Sequence, residues 1–127
     1  MQPTLIGPLI RIWVIIYGPA RSRRVRAALD TGASYTILST VLAERLGYDT
    51  KGAGRRIAIA TASGEGNAPL ISLDAIHAAG YRIPNVQALC LDLPRRLGTP
   101  CLLGLSALRH FDLDLHLKSG HLEMRDP

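Results

Sequence analysis

The stretch Ala28-Leu29-Asp30-Thr31-Gly32-Ala33-Ser34 places a carboxylate, a hydroxyl and a glycine directly behind an apolar run. A carboxylate at the end of a buried strand is costly unless it is hydrogen-bonded or performs chemistry. Thr31 brings a hydroxyl that can lock the loop, and Gly32 lets backbone approach closely. A purely structural role also fits: an Asx-turn in which Asp30 accepts a bond from the backbone two residues on.

Outward from this loop the chain alternates short apolar runs with glycine- and proline-marked turns. Leu9 to Tyr17 is rich in Ile, Val, Trp and Tyr, which predicts a strand with Ile10, Ile12, Val14 and Ile16 on one face. Gly18 to Arg24 reads as a turn and Val25 to Leu29 as the returning strand of a hairpin. Tyr35 to Leu38 reads as a strand, followed by a short helix capped by Ser39 or Thr40 and ending near Leu46. Arg56 to Thr61 predicts a strand and Ser63-Gly64-Glu65-Gly66-Asn67 a turn. Pro69 to Ile76 returns, with Pro69 arguing for an edge. Tyr81 to Ile83, Val86 to Leu91 and Cys101 to Leu103 complete the middle strands, and Leu105 to Phe111 predicts about two helical turns. Leu113, Leu115 and Leu117 alternate with polar residues, predicting a half-buried strand, and His121 to Met124 pairs back on it. The class is mostly β, one domain over residues 1–127. An apolar strand, a glycine loop and a short helix occur twice, at Ala28–Leu46 and Cys101–Phe111.

Composition narrows the function. The 127 residues are 47% hydrophobic and 20% charged, the profile of a folded chain that can bury a core without disulfides. Cys90 and Cys101 form no Cys-x-x-Cys pair and read as buried thiols of a reducing, cytoplasmic compartment. Neither a signal peptide nor a membrane span is expected. The net charge is +5, and the arginines cluster at 21–26, 55–56 and 95–96. With aromatics at 5%, these clusters read as solvated loops, with attraction to acidic partners as the remaining role and no nucleic acid expected. His110, Asp112, Asp114, His116 and His121 read as the polar face of a strand, so no metal or other cofactor is predicted. No nucleophile elbow and no phosphate-binding glycine loop is present.

Taken with Leu102-Leu103-Gly104 and its following helix, the Asp30 loop resembles the retroviral-type (retropepsin-like) aspartic proteases, particularly their small bacterial members. The Thr61-Ala62-Ser63-Gly64 turn falls where that family keeps its flap, and Leu108-Arg109-His110-Phe111-Asp112-Leu113 resembles the end of its C-terminal helix. The resemblance runs from about Ile10 to Met124. It implies a closed, barrel-like acid-protease half with a short helix near the C-terminus. It also implies a catalytic Asp30 supported by Thr31 and Gly32, and substrate contacts at Ala33, Ser34, Thr61, Ala62, Ser63 and Gly64.

The chemistry then sets the assembly. Hydrolysis by carboxylates alone takes one ionised group to deprotonate water and one protonated group to hydrogen-bond the scissile carbonyl. Asp49, Asp74, Asp92, Asp112, Asp114 and Asp126 lie in no comparable loop. A homodimer with Asp30 on its two-fold axis supplies both groups. The expected substrate is an extended peptide. The alternative is a dimeric peptide-binding module of the same fold without catalysis.

Overall fold

The computed structural model describes residues 4–6, 9–52, 54–61 and 64–126. The strands are β1 (Thr4–Ile6), β2 (Leu9–Tyr17), β3 (Ser22–Leu29), β4 (Thr36–Ser39), β5 (Arg56–Thr61), β6 (Gly64–Ala78), β7 (Tyr81–Leu91), β8 (Cys101–Leu103), β9 (Asp112–His116) and β10 (His121–Arg125). Two short helices, α1 (Thr40–Arg45) and α2 (Leu105–Leu108), join them.

The main sheet has the order β1-β2-β3-β8-β4-β7-β6-β5. A further pairing of β2 with β6, Ile16 opposite Ile76, closes β2, β3, β8, β4, β7 and β6 into a six-stranded barrel. Closure pairs the first barrel strand with the last and leaves β1 and β5 as the outer strands of the sheet. Ile12, Val14 and Ile16 of β2 point inward and are buried, the face expected from their spacing. They meet Leu38, Leu73, Ile76, Val86 and Leu103 in one core. The mostly-β, closed-barrel class is the one expected.

Several boundaries differ from the expectations, each for a physical reason. β3 starts at Ser22, so Arg23 and Arg24 lie on a strand and not in a turn; Tyr17 pairs with Ser22 and leaves a tight connection. The turn expected over Ser63–Asn67 is narrower, because Thr61 pairs with Gly64 and residues 64–67 continue β6. Ala62 and Ser63 lie outside the described residues. β6 is long and interior. Pro69 is tolerated because it pairs only with Arg56 of β5, and β7 pairing begins at Leu70. Tyr81 to Leu91 is one strand through Pro84. α2 is one turn, half the expected length. Past Leu108 the backbone bonds tighten, with the Phe111 N–H on the Leu108 carbonyl, and Phe111 turns into the core edge-on to Tyr81.

Helix α1 is capped as its sequence predicts: the Ser39 side chain accepts the Leu42 N–H at 3.2 Å. Tyr48 follows it and ties this corner to β6. Its hydroxyl accepts the Asp74 N–H at 2.7 Å and donates to the Asp74 carboxylate at 3.0 Å. Burial pushes the Tyr48 phenol up to about 12. The two thiols are free and buried. Cys90 and Cys101 each pair with Leu38, on strands at either side of it. Two strand spacings, about 10 Å, exceed the reach of a disulfide.

Candidate active site

Asp30 follows the last residue of β3, where β3 and β8 run parallel with Leu29 beside Leu103. The pairing continues past the strand: the Asp30 N–H donates to the Leu103 carbonyl at 2.9 Å. The main chain then turns, with the Ala33 N–H on the Asp30 carbonyl at 3.2 Å. The Gly32 N–H donates to Asp30 Oδ1 at 3.1 Å. That is the Asx-turn geometry, and it fixes the carboxylate's direction. Among the described residues, nothing else hydrogen-bonds to the carboxylate. Asp30 is half-buried, while Thr31 and Gly32 are exposed.

The underside of the loop is held by the second of the two repeated motifs. The Leu105 N–H donates to the Ala33 carbonyl at 2.8 Å, and the Ser106 N–H to the Ser34 carbonyl at 2.9 Å. The loop carbonyls thus receive the orphan donors at the start of α2. Gly104 makes this approach possible. A Cβ there would collide with the Tyr35 carbonyl group, and would stand 2.8 Å from the Ala33 oxygen. A buried hydroxyl pair completes the clamp. The Thr36 N–H donates to Ser106 Oγ at 2.8 Å, and the Gly104 N–H donates to Thr36 Oγ1 at 3.2 Å. Ser106 Oγ donates to the Gln87 carbonyl of β7 at 2.8 Å.

Thr31 is exposed in the single chain, and the buried hydroxyls beneath the loop are those of Thr36 and Ser106. No shared spacing marks them in the sequence: Thr36 stands four residues after Gly32, and Ser106 two after Gly104. Ala33 and Ser34 are placed at the loop, and their carbonyls hold α2. Thr61 and Gly64 stand opposite each other at the end of the β5–β6 hairpin. A second, smaller apolar cluster of Ala68, Leu70 and Leu89 packs with Tyr35, Ile57 and Ile59. It joins the base of that hairpin to the segment just behind Asp30. No group of three or more metal-ligating side chains occurs among the described residues. No helix among them is long and apolar enough to cross a membrane.

A closed six-stranded barrel carrying one Asp-Thr-Gly loop, clamped from below by an apolar strand, a glycine and a helix, defines a single-lobed aspartic protease fold. The comparisons with known proteins agree. Residues 20–110 match the family described as "gag-polyprotein putative aspartyl protease", and the chain belongs to it. It is 36% identical over 106 residues to DNA damage-inducible protein 1 of Kluyveromyces lactis, covering 80% of this chain and 24% of that protein. The protein of the same name from Eremothecium gossypii is 33% identical over 100 residues, which is 79% of this chain and 20% of the relative. The chain therefore spans about a quarter or less of these relatives. Among solved structures, a retropepsin-like aspartic protease from Rickettsia conorii superposes with a TM-score of 0.71 at 24% identity, covering 91% of this chain and 82% of that one. The retroviral protease-like domain of Ddi1 from Leishmania major gives 0.57 at 20% identity, with 91% and 87% covered.

Proposed function

We propose that this chain is an aspartic endopeptidase that acts as a homodimer, with Asp30 of each copy forming the catalytic pair. The observation that carries the reading is the state of the Asp30 carboxylate. It stands at a loop held from below, with one oxygen oriented by the Gly32 N–H and no second carboxylate in a like position. Two copies meeting at this loop bring two carboxylates together. Close like charges cannot both persist, so the pair holds one proton between them. The ionised member removes a proton from a water, whose oxygen attacks the scissile carbonyl carbon. The protonated member hydrogen-bonds the carbonyl oxygen as charge develops there. Collapse of the tetrahedral intermediate returns a proton to the departing amine.

The substrate is an extended peptide lying across Ala33 and Ser34, beneath the hairpin that carries Thr61, Ala62, Ser63 and Gly64. Strand-like binding supplies main-chain hydrogen bonds with side chains alternating between pockets. The hairpin serves as a flap. Gly64 supports this reading: its φ of +121° is one that glycine adopts readily and other residues rarely.

The test is peptide cleavage by wild type and Asp30→Asn, read with the mass in solution. Asp30→Asn should lower cleavage about 10²–10⁴-fold, because both copies lose the ionisable group. Wild-type activity should rise faster than in proportion to concentration when the protein is dilute. Full specific activity in a monomer would overturn the proposal. The Asx-turn favours one second reading, in which Asp30 only shapes the loop of a peptide-binding module. Peptide binding without cleavage by either protein would support that reading.

A further inference from the structure

Part of the β3 edge is open in the barrel, and arginines surround it. β3 pairs with β2 along its whole length, from Ser22 opposite Tyr17 to Ala28 opposite Arg11. On its other side β3 meets β8 only at Ala28 and Leu29. Among the described residues, 22–26 therefore have a strand on one side alone. Thr99 Oγ1 donates to the Arg26 carbonyl, so that carbonyl faces away from β2. The two-residue period of a strand puts the N–H and C=O of Arg24 on the same open side.

An open groove of about 420 Å³ runs along this edge, between β3 and α1. Arg23, Arg24, Arg26 and Arg45 line it, with Val41 and Leu42 of α1. No carboxylate is among its lining residues; the acidic residue of α1, Glu44, is not one of them. Among the described residues, neither Arg23 nor Arg45 has a carboxylate at ion-pair distance. Val41 is 57% exposed at the groove. Arg23 shares a face of β3 with buried Val25, the face toward α1, whereas Arg24 and Arg26 lie on the outer face. There they stack on Trp13, at 4.1 and 5.4 Å from its ring centre. A strand laid on the open edge thus meets positive charge on both of its faces.

We infer that this groove is a docking site for an acidic, extended peptide segment, which adds a strand to the Ser22–Arg26 edge of β3. The backbone of Arg24 supplies the ladder bonds, the four arginines take carboxylates on both faces of the peptide, and Val41 takes an apolar side chain. The match is one of charge complementarity joined to an unpaired strand edge. A strand edge left bare is otherwise a liability that proteins cover or blunt. The site is separate from the Asp30 loop, and the inference holds whether or not Asp30 catalyses.

The experiment measures binding of a fluorescein-labelled eight-residue peptide of aspartate and glutamate with one central isoleucine. Asp30→Asn protein is used beside wild type, so that binding is read without cleavage. The peptide should bind, and added salt should weaken it. The Arg23→Glu/Arg45→Glu double variant should weaken binding at least about tenfold, with its circular dichroism unchanged. N-methylation of alternate backbone amides of the peptide should cost about as much, because it removes ladder donors without touching charge. The emission of Trp13, the chain's one tryptophan, should change on binding, since Arg24 lies over its ring. Binding insensitive to the double variant, or equal for the N-methylated peptide, would overturn the inference. So would an eight-nucleotide oligothymidine that binds more tightly with the same sensitivity to charge reversal, which would make the groove a nucleic-acid site.

Discussion

The Ser106 hydroxyl receives the Thr36 N–H and passes its own proton to the Gln87 carbonyl, so one oxygen joins α2, β4 and β7 beneath the Asp30 loop. Both Thr36 and Ser106 are buried, which makes the loss of a partner costly. Ser106→Ala is expected to destabilise the chain by about 1–3 kcal/mol, read from denaturant unfolding. Its effect on cleavage should exceed what the lost folded fraction accounts for, because the loop that aims Asp30 loosens; Ser106→Thr should restore part of it. Asp30 and Gly32 stood out in the sequence once their tripeptide was taken with Leu102-Leu103-Gly104 and its following helix. The role of Ser106 did not, because it depends on a partner 70 residues away that the antiparallel β4–β8 pairing brings near.

Among the elements, the β5–β6 hairpin depends on the backbone conformation of Gly64. Gly64 opens β6 at a φ of +121°, whereas a Cβ at Gly66 would meet nothing within 4 Å. Gly64→Val should therefore cost about 1–3 kcal/mol of local strain, while Gly66→Ala should be tolerated. Amide exchange is the measurement: protection should fall in Ile57 to Ala60 for Gly64→Val and stay unchanged in β2. The strands β2 and β5 were readable almost to the residue, because β-branched side chains recur in them between polar or breaking residues. The start of β3 was not. Arg23 and Arg24 look like a solvated turn in one dimension, and become strand because β2 offers seven paired residues across from β3. α2 was overread for the converse reason: Leu105 to Phe111 has helical periodicity, but the core captures Phe111 after one turn.

At the scale of the whole molecule, the barrel's interior makes its stability depend on alkaline pH. Burial pushes the Cys101 thiol up to about 12 and the Cys90 thiol up to about 11, from ordinary values of 9.0. Tyr48 rises from 10.0 to about 12 for the same reason. Each folded value lies above the unfolded one, so the unfolded chain releases these protons first. Stability is fully present below about pH 9 and is lost as pH climbs through 11 to 12. Denaturant midpoints should fall steadily above pH 9, and Cys101→Ala should make that fall shallower, although its midpoint at pH 7 is lower. The same burial should leave both thiols unreactive to a thiol reagent until the chain unfolds. A thiol that reacts rapidly in the native state would contradict the barrel as described.

The sequence by itself determined the mostly-β class, the inward face of β2, the cap of α1 and the standing of Asp30 as the residue to watch. These follow from local rules: side-chain period, capping hydroxyls, and the cost of a carboxylate behind an apolar strand. Only the tertiary structure decided that β2 closes onto β6 and that α2 holds the Asp30 loop from below. It also decided that half of β3 is left open beside four arginines. Those features rest on contacts between segments far apart in the chain, and such contacts leave no periodic trace in the order of residues.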